Sequence, residues 1–227
     1  MDKKVYCGAM LLASIVSTGC AEQKKVDEQK PNIIYFLVDD MGMGDLSLTG
    51  QKKYETPNID KLAADGMLFT NHYCGTTVSG PSRACLMTGK HTGHTSVRGN
   101  QPGPQLLGDN EATLASVLKG AGYKTAIIGK WGIGHPIPLD DPQRKGFDLS
   151  YGYLNMWHAH NCFPEFLYRN GVKEELTGNK LALAEDGTNP WADMPEGTGV
   201  ARMDARKQYA PDLFEKEALK FISDNKK

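Results

Sequence analysis

The chain is poor in features that would each mark a class of protein. It has five cysteines, at positions 7, 20, 74, 85 and 162, and no C-x-x-C spacing. Neither a thiolate zinc site nor a disulfide-stapled scaffold is therefore written into it. It has no basic excess: 26 lysines and arginines face 27 aspartates and glutamates, for a net charge of −1. That removes the electrostatic footprint of a nucleic-acid-binding protein. It has no apolar run of the roughly 20 residues that a membrane-spanning helix needs. It has no internal repeat and no G-x-S-x-G elbow. What remains is a 227-residue chain with 40% hydrophobic residues, enough for one domain with a real core.

The N-terminus differs from the rest. "MDKKVYCGAMLLASIVSTGC" has Lys3 and Lys4, a short apolar stretch over 5–16, then Ser17, Thr18 and Gly19 before Cys20. The pattern predicts an export signal over 1–19 and a lipid on Cys20, as in a bacterial lipoprotein; the alternative is a plain secretory signal cut nearby. Either places the protein in the periplasm or cell envelope, and the lipid would anchor it to a membrane. The polar residues 20–30 read as a tether. With Cys20 lipidated, Cys74, Cys85 and Cys162 remain, too few for a disulfide framework.

From Pro31 onward strands and helices alternate. "IIYFLV", 33–38, is apolar on both faces and predicts a buried parallel strand. "TPNIDKLAADG" predicts a helix begun by Thr56 and Pro57 and ended at Gly66, followed by a second strand candidate, "LFTNHY", at 68–73. A helix is expected from Pro81 to Thr88 and another from Glu111 to Lys119, stopping near Gly120 and Gly122 and feeding the strand "KTAIIGK". The aromatic stretch 146–176 reads as loop-rich. A C-terminal amphipathic helix presents Leu213, Phe214, Ala218, Phe221 and Ile222 on one face. The fold class is α/β, with a mostly parallel sheet flanked by helices.

Two stretches point to chemistry. Asp39 and Asp40 end the first strand candidate, where ligands gather in open α/β sheets. Paired carboxylates there suit a hard divalent cation such as Ca²⁺ or Mg²⁺; a strand-end turn with an aspartate cap is the plainer reading. In "VSGPSRACLMTG", Ser79 and Gly80 lie at a helix entrance, where free N–H groups and the helix dipole favour an anion. Arg83 adds a forked donor suited to a tetrahedral oxyanion. The plainer reading is a helix start with a capping serine. A serine hydroxyl is a poor nucleophile without a base, and none is evident nearby.

S-G-P-S-R-A-C-L-M-T-G resembles the sulfatase signature, a Cys or Ser followed by x-P-S-R and then T-G. "PNIIYFLVDDMGMGDL", "TPNIDKLAADGMLFTNHY" and "GYKTAIIGKWGIG" resemble further sulfatase stretches in the same order, from Pro31 to Asn170. The resemblance implies an alkaline-phosphatase-like N-terminal catalytic domain over 31–227 and hydrolysis of sulfate esters, of sulfated carbohydrates for an exported bacterial enzyme. A related phosphoester or phosphonate hydrolase and a non-catalytic lipoprotein are the alternatives. It implies that Ser79 is oxidised to formylglycine by an anaerobic-type maturase. The hydrated aldehyde then supplies the nucleophilic hydroxyl, which answers the reactivity problem. It makes Asp39, Asp40 and residue 79 ligands of Ca²⁺, Arg83 the stabiliser of the aldehyde hydrate, and Lys130 a binder of sulfate oxygens.

The chain departs from that family in two places. Where many members have G-K-W-H-x-G, this sequence has "GKWGIG", with Gly132 in the histidine's place. His135, His158 and His160 are the nearby candidates to contribute an imidazole toward the substrate. The family also has a second acidic pair after a later strand. Asp224 and Asn225 follow an amphipathic helix and are not read as that pair, so the chain is expected to be truncated relative to a whole catalytic domain.

Overall fold

The computed structural model describes residues 30–100, 106–136 and 139–226, and the chain falls into two units divided after Met41. The predicted signal and Cys20 lie outside the described residues. No helix among the described residues is long and apolar enough to cross a membrane.

In the first unit the run 33–38 does not form the expected strand. Ile33 is 56% exposed and Phe36 81%. A buried parallel strand needs a ladder partner for its N–H and C=O groups, and none of the described strands pairs with this run. Asp40, at its end, adopts left-handed backbone with φ 56°.

The second unit carries the regular structure. Helix α1 (Pro57–Asp65) opens with Pro57 at its first turn, as its sequence predicts. The segment 68–73 that follows is not a strand, and Phe69 and Tyr73 are exposed, again without a partner strand among the described residues. Helix α2 spans Ser79–Thr88. Helix α3 (Leu114–Gly120) starts three residues later than expected, because Thr113 is its cap: its hydroxyl accepts from the Ser116 N–H at 3.1 Å.

Strand β1 (Ala126–Lys130) leaves α3 and pairs with β4 (Leu149–Tyr153); between them lies a small β2–β3 hairpin (His135–Pro136 with Leu139–Asp140). The main sheet has four strands in the order β1-β4-β5-β6, with β5 at Phe166–Arg169 and β6 at Val172–Glu175. It is mixed: β1 and β4 run parallel, from Ala126 opposite Leu149 to Lys130 opposite Tyr153, while β4–β5 and β5–β6 are antiparallel. Parallel pairing is thus confined to one edge of the described sheet. Glycines meet where β1 and β4 come closest; a Cβ on Gly152 would sit 2.0 Å from the Gly129 carbonyl oxygen.

Helix α4 (Ala210–Asn225) covers this sheet. Phe214 sets its ring edge-on to Tyr151 and Tyr153, at centroid distances of 6.1 and 5.6 Å. Ile222, expected on the covered face, is 42% exposed. A second cluster joins α2, α3 and the segment after β1: Ala84, Val97, Leu107, Ala115, Trp131, Ile133 and Phe147. Trp131 and Ile133 are almost wholly enclosed. Side chains of this kind stabilise by about 1.5–3 kcal/mol each when fully buried, so this cluster, more than any single cap, fixes α2 against the end of β1.

Candidate active site

Helix α2 begins at Ser79, two residues before the position its proline suggested. Pro81 is therefore its third residue. Its missing N–H still costs nothing, because the first turn has no intrahelical acceptors to lose. The first helical bond of the usual pattern is Ser82 N–H to the Val78 carbonyl, at 3.2 Å. Gly89 ends the helix in left-handed backbone, φ 65°, and returns its N–H to the Cys85 carbonyl at 2.8 Å.

Ser79 and Arg83 are four residues apart and so share a face. The Arg83 Nε donates to Ser79 Oγ at 3.1 Å, and Nη1 donates to the Lys130 carbonyl at 2.5 Å. Arg83 is buried, whereas Ser79 is half-exposed. The guanidinium thus works in a partly desolvated setting, where charge acts more strongly than in water, and the hydroxyl it holds stays reachable. Ser79 is the first residue of α2 and so stands at the positive end of the helix dipole.

Lys130 ends β1, at the carboxyl end of the parallel pair. The next turn contains Gly132 in left-handed backbone, φ 76°; a Cβ there would lie 3.0 Å from Arg83 Cδ and 3.2 Å from Lys130 Cε. The stems of Arg83 and Lys130 therefore converge on Gly132. A glycine suits the family's histidine position here, because a Cβ would be strained by the backbone angle and crowded by both side chains. Ser79, Arg83 and Lys130, separated by up to 51 positions in the chain, are brought together around one helix entrance.

Asp39 and Asp40 are exposed and belong to the first unit. Two carboxylates alone do not fill the about six to eight oxygens that Ca²⁺ takes, and among the described residues no group of three or more histidine, cysteine or acidic side chains gathers as a metal site. His135 is half-buried on β2. His160 is exposed beside Trp157, with ring centroids 6.2 Å apart. His158 departs from the expectation that it faces substrate. It is 0% exposed, packed by Tyr153 at 4.9 Å and Phe166 at 4.6 Å, because the 3-10 turn at 158–160 points it inward. Burial pushes its pKa down to about 4.

One residue was not anticipated. Asn100 Oδ1 accepts from the Gly80 N–H at 2.9 Å, from 20 positions away. Only the folded chain brings the two together, and no local pattern marks it.

A sulfatase family model matches residues 31–227. The chain is 44% identical over 137 residues to the N-acetylgalactosamine-6-sulfatase of Sus scrofa, a match covering 56% of this chain and 26% of that protein. It is 45% identical over 123 residues to the N-acetylgalactosamine-6-O-sulfatase of Bacteroides thetaiotaomicron, covering 52% of this chain and 24% of the relative. A solved structure from work on the metabolism of multiple glycosaminoglycans by Bacteroides thetaiotaomicron superposes with a TM-score of 0.67 at 28% identity, covering 86% of this chain and 48% of that one. The matched region thus spans about a quarter of the two curated relatives.

Proposed function

Because the chain belongs to the sulfatase family, we propose that it carries the nucleophile half of a sulfuric ester hydrolase acting on sulfated carbohydrates. The observation that carries this reading is the pair of hydrogen bonds donated by Arg83, to Ser79 Oγ at 3.1 Å and to the carbonyl of Lys130 at 2.5 Å. It sets one buried cation and a helix N-terminus beside one reachable oxygen, and ties that cation to the end of β1 that carries Lys130. That is the charge distribution a transferring sulfuryl group needs, because fixed positive charge around its oxygens stabilises the charge that develops on them.

The roles follow from chemistry. Oxidised to formylglycine by an anaerobic-type maturase, the side chain at position 79 supplies a hydrated aldehyde with a nucleophilic hydroxyl. Arg83 holds the oxygen at 79 in place through Nε and favours its anionic form. Lys130 offers its ammonium to the sulfate oxygens from the end of β1. The helix dipole at the start of α2 adds about 0.3–1 kcal/mol for an anion at that end. Asp39 and Asp40 are proposed as two hard oxygen ligands of Ca²⁺, which alone do not complete its shell. His135 and His160 are proposed to face the substrate. Export and a lipid anchor at Cys20 are proposed from the N-terminal sequence alone.

The relatives' names make N-acetylgalactosamine 6-sulfate the first substrate to try. Sulfate release from it and from an aryl sulfate, compared with phosphate release from the matching aryl phosphate, tests the reading. Faster sulfate ester cleavage supports it, and faster phosphate ester cleavage overturns it. Mass spectrometry of the peptide containing residue 79 tests the maturation: formylglycine lacks two hydrogens relative to serine.

A further inference from the structure

The first turn of α2 has no local cap. Val78 stands at the N-cap and has no side-chain oxygen to offer. An N-cap serine, threonine or asparagine normally accepts from the N–H of the second or third helical residue. The third residue here is Pro81, which has no N–H, so the Gly80 N–H is the donor such a cap would serve. Asn100 serves it from a separate loop, at 2.9 Å. The fit is tight: a Cβ on Gly80 would lie 2.7 Å from Asn100 Oδ1 and 3.4 Å from the Gly99 carbonyl oxygen. Glycine at 80 and asparagine at 100 therefore form one device. Its effect falls on Ser79, the residue just before Gly80. With capping delegated to Asn100, the Ser79 hydroxyl is left to Arg83.

We propose that Asn100 is a positioning residue, which caps α2 from a distance and so fixes the direction in which residue 79 faces the sulfate group. The inference rests on the reading of residue 79 as the reacting position. It goes beyond that reading by assigning its orientation to a residue outside every sulfatase-like stretch quoted above. Asparagine suits this place because its amide oxygen caps without adding a negative charge beside an anionic substrate.

The test uses the matured protein with Asn100→Ala, which removes the acceptor, and Asn100→Asp, which keeps it. Three quantities are read: kcat and KM on an aryl sulfate, the converted fraction of residue 79 by mass, and amide exchange at Gly80. Per converted site, Asn100→Ala is expected to lower kcat by about 10- to 100-fold with KM changed by less than about threefold. Asn100→Asp is expected to recover kcat to within about tenfold, and Gly80 exchange to quicken only in the alanine variant. A wild-type kcat in Asn100→Ala overturns the proposal. So does an Asn100→Asp protein that is folded but as slow as the alanine variant, which also decides the matter if the alanine variant does not fold. If the unaltered protein cleaves no sulfate ester, the functional reading falls instead. The Gly80 amide then judges the cap by itself: faster exchange in Asn100→Ala upholds it and unchanged exchange overturns it.

Discussion

Arg83 reaches back one helical turn to donate to Ser79 Oγ at 3.1 Å. The link is local in sequence but gains its direction from elsewhere, because the same guanidinium is pinned by the carbonyl of Lys130. Geometry as well as charge is thus built into the pair. Arg83→Lys keeps the charge and loses the fork, since an ammonium cannot make both bonds along those directions. Turnover of sulfate esters is expected to fall about 100-fold or more, with a smaller change in KM. A lysine variant within a few-fold of the parent would show that charge alone suffices.

Gly132 occupies left-handed backbone with Arg83 Cδ 3.0 Å from where a Cβ would stand. Restoring the family's histidine with Gly132→His is therefore expected to damage the site, not to improve it. The backbone strain alone costs about 1–3 kcal/mol, and the imidazole displaces Arg83 from Ser79. Urea unfolding and sulfatase assays of Gly132→His and Gly132→Ala check this. A histidine variant as stable and as active as the parent would contradict the account given for the glycine.

Local signals were the legible ones. Pro57, Gly66, Pro81 and the apolar spacing of the C-terminal segment predicted helices that are present, and S-G-P-S-R marked the helix entrance that carries Ser79 and Arg83. The two predicted strands at 33–38 and 68–73 failed because a strand is completed by partners, which a run of apolar residues does not name. The opposite error lies at 146–176. The aromatic stretch read as loop-rich contains β4, β5 and β6, and Asn170–Gly171, both at positive φ, form the tight turn of the β5–β6 hairpin. Asn-Gly between apolar residues is a hairpin signal, and it was available. Asn100 and the burial of His158 were not, since each depends on packing between distant segments.

Glu111 joins the C-terminal side of α2 to the approach to α3. It accepts from Lys90 Nζ and from the Gly108 N–H, each at 2.8 Å, and from the Ser96 hydroxyl. Burial by itself would raise its pKa, but these donors outweigh burial and hold it at about 2, below its ordinary 4.5. A carboxyl whose folded pKa is depressed contributes stability that is complete above the unfolded value and is lost as pH falls through the folded one. Stability is therefore expected to decline between pH 4.5 and about 2. Glu111→Gln should cost about 1–2 kcal/mol at neutral pH and flatten that part of the profile. Unfolding midpoints measured from pH 7 to pH 3 decide it: an unchanged slope in the glutamine variant would remove Glu111 as the cause.

His158 gives the second acid-sensitive element, for the opposite chemical reason. Its ring is enclosed by Tyr153, Phe166 and Tyr168, and the Gly197 backbone presses on it closely enough that a Cβ there would be 2.5 Å from Cγ. Neither ring nitrogen makes a hydrogen bond of ordinary geometry. Burial favours the neutral ring most; Glu196 opposes this, the Phe166 backbone opposes it weakly, and Lys173 adds to it, leaving the pKa at about 4 against an ordinary 6.5. The unfolded chain binds this proton more readily, so stability is expected to fall as pH drops from 6.5 to about 4. His158→Phe removes the proton-binding group and two unpaired nitrogens while keeping an aromatic ring. It is expected to match or exceed the parent's stability at pH 7 and to lose the dependence between pH 6.5 and 4. Thermal unfolding across that range, with sulfatase activity followed in parallel, separates a core role for this histidine from a substrate-facing one. Activity retained in the phenylalanine variant agrees with a core residue. Activity abolished in a variant that stays fully folded would return His158 to the substrate.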